Sequence, residues 1–447
     1  MDNLVVEDQK GGSTMKKALV VFLCLIAILP SALFAQGGKE EAKADQPITL
    51  EFWTHEDASR QELEERYIKE FCELHPNVTV NVTRQSAEKL RELIQTAFAS
   101  GEGPSFFNLP IENEYQYIEA GRVAPADYKT LGFKDAKDLL ASYEDGMIDA
   151  VVYDGDVYGL PLELTNWSIF LNKKVFRDAG LDPEKDYPKT WEDMVEVSKK
   201  IVIREGDIIT RRGFDFRYSY ELTYFVPMVE QLGGSLSGKD GCVNKDAWVK
   251  ALTFMKNWGP SGENLGNPTL TAARKLFNKD NGDIAMANTG LYQEARILSD
   301  NPSFYNSGEW MVVPYPVFEN AVKDMAGCYY GHFYMVNADK SEAEQQMAWE
   351  LIKYFLLTEG HAEEYLTKVG LIQPTKALMN GSTYAAQPYS DVFRSDFARS
   401  HIVYYENGAA EIQSAINSAI KQVMLQGTDP SAAYDALQKN VLEILAD

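Results

Sequence analysis

The sequence predicts an α/β protein of two lobes, each a mainly parallel sheet flanked by helices, with a helical C-terminal tail. Three observations predict it. At 447 residues the chain is longer than one hydrophobic core ordinarily serves. Strand and helix patterns alternate after residue 47, which implies parallel strands covered on both faces. The end of the chain shows helical spacing only, with Ile412, Ile416 and Ile420, then Leu437, Val441 and Leu445.

In chain order, Met15-Lys16-Lys17 precedes a wholly apolar run at 18–29 and a small-residue stretch ending at Ala35. That is the pattern of a secretory signal peptide, with residues 1–35 removed, and the run is too short to span a bilayer. A lipid anchor would use Cys24, but the bulky Leu23 before it disfavours that reading. Asp2, Glu7 and Asp8 make the start too acidic for a signal peptide, and codons for Lys10-Gly11-Gly12 would be purine-rich like a ribosome-binding site. Synthesis is therefore expected to begin at Met15; peptides from 1–14 in the precursor would refute this.

Residues 36–46 form a polar linker. A strand is expected at 48–53, then a helix at 58–74 carrying Leu63, Tyr67, Phe71 and Leu74, ended by Pro76. A strand at 78–82 and a helix at 86–100 follow. Thr190 caps a helix whose first turn holds Glu192 and Asp193. Trp248, Leu252, Met255 and Trp258 mark another. Ser341 and Glu344 form a capping box before a helix using Met347, Leu351, Tyr354 and Phe355. There is no internal repeat.

Apolar residues make 45% and charged residues 24% of the chain, the balance of a soluble globular protein. The net charge of −23 argues against nucleic acid as the main partner, because phosphate binding needs a basic face. Past the signal peptide only Cys72, Cys242 and Cys328 remain, too few for a disulfide framework or a zinc site, although two of them could pair. The segment 233–240, GGSLSGKD, narrowly misses a phosphate-binding loop: Asp240 stands where Ser or Thr would hold magnesium. The five histidines at 55, 75, 332, 361 and 401 show no metal-ligand spacing, and no carboxylate pair stands out as a glycosidase pair. No catalytic residue, metal or cofactor is expected.

The positive signal is aromatic. Phe, Trp and Tyr make 12% of the chain, and several sit beside polar groups at expected strand ends or loops. These are Trp53 to Glu56, Asn166-Trp167, Tyr218 to Tyr224, Asn288 to Tyr292, and Tyr329 to His332. Single aromatics are usually core, as expected for Trp191, Trp248, Trp258 and Trp349 on helical patterns. The loop clusters differ, because each couples a flat apolar face to fixed donors and acceptors, as a sugar requires.

Taken in order, ITLEFWTHED, GPSFFNLPIENEYQYIEAGRVAPAD, DGDVYGLPLELTNWSIFLNKKVFRDAGLD, PKTWEDM, FNKDNGDIAMANTG and AWELIKYFLLTEG resemble the family 1 extracellular solute-binding proteins, the maltose-binding-protein-like periplasmic group. The resemblance spans nearly all of the chain after the leader. It implies a non-enzymatic, monomeric, extracytoplasmic binding protein of the periplasmic-binding-protein fold. Such a protein captures a sugar or oligosaccharide between two lobes and hands it to the membrane permease of an ATP-binding cassette importer. By the same analogy the N-lobe takes 47–160 plus 327–374, and the C-lobe takes 161–326 plus 375–447. Ligand-touching positions fall on Trp53, Glu56, Leu109, Glu112, Thr165, Asn166, Trp167, Glu221, Tyr224, Tyr292, Tyr329, Tyr330 and His332. Leu109 replaces a stacking aromatic of the maltose-binding protein, so maltose itself is not expected. Two alternatives stand beside the neutral sugar. One keeps the scaffold but binds a glycerol-phosphate-type ester or a polyamine, with Arg217 and Arg211-Arg212 as phosphate candidates. The other is a secreted carbohydrate-active enzyme using Glu221 or Glu112.

Overall fold

The computed structural model describes residues 46–206 and 208–446. The expected signal peptide, the start at Met15 and almost all of the polar linker lie outside the described residues. In chain order the strands are β1 (Ile48–His55), β2 (Val78–Gln85), β3 (Phe106–Pro110), the short pair β4 (Val152–Tyr153) and β5 (Asp156–Val157), β6 (Leu160–Thr165) and β7 (Ser168–Asn172). They continue with β8 (Ile203–Glu205), β9 (Ile208–Asp215), the short pair β10 (Ser235–Ser237) and β11 (Gly241–Val243), β12 (Ile284–Thr289), β13 (Trp310–Val313) and β14 (Tyr330–Val336).

Two five-stranded sheets organise the chain, in the orders β2-β1-β3-β14-β6 and β13-β7-β12-β9-β8. The expected alternation produces parallel pairing of β1 with β2 and β3, and of β9 with β12. β14 instead runs antiparallel to β3 and β6, and β7 antiparallel to β12 and β13. Both are strands at which the chain has just changed sheets, so they enter from the opposite end.

The helices follow the sequence signals, except that Leu74, expected on the apolar face of 58–74, is 66% exposed at the helix end. Ala58–Leu74 buries Leu63, Tyr67 and Phe71 and is capped by the Asp57 side chain. Ser86 caps Ala87–Ser100, and both expected caps at Thr190 and Ser341 form complete capping boxes. Trp191, Trp248, Trp258 and Trp349 are all at most 1% exposed. The tail is two helices, Ala409–Gln426 and Pro430–Ala446. Cys72, Cys242 and Cys328 are free thiols. Among the described residues no helix is long and apolar enough to cross a membrane.

One boundary moves. All of β6 pairs with β14 in the first sheet, and the chain crosses to the second at Asn166-Trp167, five residues past the expected limit at Leu160. The register slips between His332 and Phe333, where Glu163 and then Pro161 are the partners. Pro161 has no N–H to give to a ladder, which makes this the natural place for the irregularity.

Candidate functional site

The carboxyl ends of β1, β3 and β6 in the first sheet, and of β9 and β12 in the second, open on one cleft at the crossing. That is where ligands bind in open α/β sheets. The first wall carries His55 at the end of β1, Glu163 in β6, and Tyr330 and His332 in β14. Glycine at 331 lets β14 approach closely: a Cβ there would lie 2.0 Å from the Glu163 carbonyl oxygen.

His332 and Glu163 are both buried, and the ring Nδ1 lies 3.0 Å from Glu163 Oε1. With Nδ1–H donating to the carboxylate, Nε2 is left as an acceptor, and it has no partner. His55 stacks on His332 at 4.1 Å, with its own Nδ1 3.0 Å from Asn108 Oδ1. Burial, then His332 and Arg60, hold the His55 ring well below its ordinary pKa, so it is neutral. Ligating atoms of His55, Glu163 and His332 all lie within 4.8 Å of one another, a set that could coordinate a divalent cation. Linear spacing hid it, because β1, β6 and β14 are far apart in sequence. Arg60 and Arg296 act on the same spot and oppose a dication there, so a hydrogen-bonding role fits the surroundings better.

The second wall is aromatic and cationic. Trp167 is fully buried, edge-on to Tyr220 at 5.7 Å and 5.9 Å from Tyr330; its Nε1 and the Asn166 Oδ1 have no partner. The Arg217 guanidinium lies 4.2 Å from the Tyr220 ring and 4.9 Å from Trp167, and donates to the Tyr292 hydroxyl at 2.7 Å. Arg296 lies 4.3 Å over the Tyr292 ring and reaches across the cleft to Asp57 at 2.5 Å. Burial works upward on the Tyr292 phenol, but Arg217, Arg296 and Arg274 outweigh it and bring it below its ordinary value.

Three cavities run along the junction. One of about 200 Å³ is lined by Arg217, Tyr220, Arg274, Lys275 and Asn288, with Glu88. A second, of about 410 Å³, shares Glu88 and adds Leu109, Tyr117 and Glu411. A third, of about 310 Å³, shares Gln116 and Glu411 with the second and adds Glu112 and Glu406. Shared walls make them one elongated groove.

Of the residues nominated from sequence, Asn166, Trp167, Tyr292, Tyr330 and His332 gather at the crossing, and Leu109 and Glu112 line the groove. Thr165 is buried beneath Gly290, with its hydroxyl turned to the Asn166 carbonyl at 3.0 Å. Glu221 starts the helix Glu221–Gln231, held by the Ser219 N–H at 2.8 Å and by Asn417; burial raises it to about 7. Tyr224 stacks at 5.0 Å on Phe216 inside the core, and the Tyr329 hydroxyl donates to the Phe397 carbonyl at 2.9 Å. Trp53 is half-buried within the first sheet, and Glu56 is exposed one residue beyond His55. Arg212 pairs with Asp215 at 3.4 Å and Arg211 donates to the Gly282 carbonyl, so of the three phosphate candidates only Arg217 faces the cleft. Sequence reading missed Asp57, Arg274 and Arg296. Each looks like an ordinary surface charge or strand residue until the strands are ordered.

The sequence model of the bacterial extracellular solute-binding protein family matches residues 57–362, more than half of the chain. An arabinooligosaccharide-binding protein of Bacillus subtilis (strain 168) is 23% identical over 248 residues, 54% of each chain. The chain thus spans about half the length of the arabinooligosaccharide-binding relatives it matches. The diacetylchitobiose binding protein DasA of Streptomyces coelicolor is 23% identical over 413 residues, 84% of this chain and 87% of its own. The maltose/maltodextrin-binding domain MalE of Bdellovibrio bacteriovorus, solved with maltotriose, superposes with a TM-score of 0.75 at 20% identity. That likeness covers 90% of this chain and 100% of the other, and it shows a shared two-lobed fold.

Proposed function

The chain belongs to the bacterial extracellular solute-binding proteins, and from that premise we propose that it captures an oligosaccharide in the cleft and delivers it to an importer permease. The observation that carries this reading is the elongated groove between the sheets, with the rings of Phe216 and Tyr220 and the unpaired Asn288 Nδ2 at one end. Behind that end lie Trp167, Tyr330 and Tyr292, with His332 Nε2, Trp167 Nε1 and Asn166 Oδ1 buried and without partners, a polar and aromatic backing for a saccharide. Relatives described as binding arabinooligosaccharide, diacetylchitobiose and maltotriose support the sugar class.

The lobes are read as 47–165 plus about 327–374, and 166–326 plus 375–447, closing about the Asn166-Trp167 crossing. Capture takes place on the extracytoplasmic face after signal-peptide removal, with a monomer meeting the permease, and the role is binding rather than catalysis. A calorimetric screen of neutral and acidic oligosaccharides tests this. At least one is expected to bind well below millimolar, more favourably than about −4 kcal/mol. Failure of every saccharide to do so overturns it.

A further inference from the structure

Arg217 and Arg274 both line the smallest cavity, together with Lys275, against a single exposed acid, Glu88. Their neighbours are compensated: Arg296 pairs with Asp57 and Arg212 with Asp215. Among the described residues no carboxylate lies within ion-pair distance of Arg217 or Arg274. Arg217 donates to the Tyr292 hydroxyl and packs on the Tyr220 and Trp167 rings, and Arg274 hydrogen-bonds Gln293 Oε1 at 3.3 Å. Each guanidinium has five N–H donors, so most are unspent and neither cation has a paired carboxylate in this half-buried site. Burial, then Arg296 and Arg217, lower the Arg274 guanidinium to about 10, against the opposing pull of Tyr292 and Asp300. The far end of the groove is the reverse, lined by Glu112, Glu406 and Glu411.

Resting on the sugar-binding reading above, we propose that the ligand is an oligosaccharide with one carboxylate-bearing unit, a uronate, seated at the Arg217–Arg274 end and neutral units running toward Glu112. A carboxylate accepts from two guanidiniums at once and supplies the missing charge. A neutral sugar would leave both cations unmatched as the cleft closes, and a chain charged at every ring would be repelled by the acids at the far end. The pyranose ring of the uronate lies beside Tyr220 and Asn288, which line the same cavity.

The experiment is calorimetry on the processed protein with glucuronosyl and galacturonosyl disaccharides and trisaccharides. Their methyl esters, the matching neutral sugars and glucose 1-phosphate complete the panel. The expected result is an acidic sugar binding at least about tenfold tighter than its own methyl ester, a gap that shrinks as salt is raised. Arg274→Gln should erase the gap while leaving the melting temperature in place. Arg217→Gln should do the same to affinity, and its packing on Tyr220 makes Arg274→Gln the cleaner control. Neutral sugars or methyl esters binding as tightly as every acid, or glucose 1-phosphate exceeding them all, overturns the proposal and leaves oligosaccharide capture standing. Binding of no saccharide removes that reading as well.

Discussion

The two walls of the cleft solve opposite electrostatic problems. The first wall presents acceptors: Glu163, Asp57 and a His332 nitrogen whose proton sits on the other side of the ring. The second presents donors, with Arg217, Arg274 and Arg296 gathered around one tyrosine. Only one of those three cations, Arg296, reaches an acid on the opposite wall, Asp57 at 2.5 Å. A ligand entering between the walls therefore meets a direction as well as a shape. The difference teaches that an acidic chain can still hold a cationic pocket, and that net charge describes solubility rather than the site.

Replacing the ring common to both walls tests this contrast most severely. Trp167 touches Tyr330 of the first wall and Arg217 of the second and is fully buried. Trp167→Ala is expected to cost about 3–5 kcal/mol of stability in denaturant titration and to abolish saccharide binding in calorimetry. Stability loss without loss of binding would make the indole core only.

A smaller effect probes the acid of the second lobe. Burial raises Glu221 to about 7, despite the Ser219 and Asn417 hydrogen bonds. Its folded pKa lies above its unfolded value, so the folded state holds more protons between the two. Stability then falls as pH rises from the ordinary carboxylate range to about 7, and is flat beyond. The total is on the order of 3 kcal/mol. Glu221→Gln should flatten this slope, matching the parent in acid and exceeding it at pH 8 in paired denaturation curves. Identical slopes would mean that the carboxylate is solvated.

The cross-cleft pair comes next. Burial pushes Asp57 up, but Arg296 and Arg60 outweigh it and hold the carboxyl low. The contribution is present above the unfolded carboxylate pKa and is lost as pH falls through the lowered folded value. Asp57→Asn should favour an open form by about 1–2 kcal/mol, seen as a larger radius of gyration in X-ray scattering without ligand. An unchanged radius would show that the pair decorates a cleft that other contacts hold.

Legibility in the sequence divides along the same line. Helices and strands were readable because burial imposes a period, and caps at Thr190 and Ser341 used local chemistry. Asn166-Trp167 was readable as an aromatic beside a polar group at a strand end. The first wall was only half visible. His332 and Tyr330 stood in an aromatic cluster, while His55, Glu163 and Asn108 meet only through the order β1-β3-β14-β6. Arg274 and Arg296 left no signal, since an arginine on a short amphipathic helix ordinarily faces solvent. The crossing lies five residues past the limit that the family analogy gives, because β6 absorbs Pro161 by a register slip and stays paired with β14 to Thr165.

The smallest effect isolates the first wall's one unpaired acceptor. In the native pair the Glu163 carboxylate can only accept, so it fixes the His332 proton on Nδ1 and keeps Nε2 free to receive a hydroxyl proton. Glu163→Gln keeps the shape but lets the amide donate, which favours the other tautomer and turns Nε2 into a donor. Nitrogen chemical shifts of His332 should report the exchange directly, with folding stability nearly unchanged. Saccharide affinity should fall about tenfold, the cost of one mismatched buried hydrogen bond. A tautomer change without an affinity change would place the ligand wholly on the second wall, against the arginines. An affinity loss without a tautomer change would instead make Glu163 itself the contact.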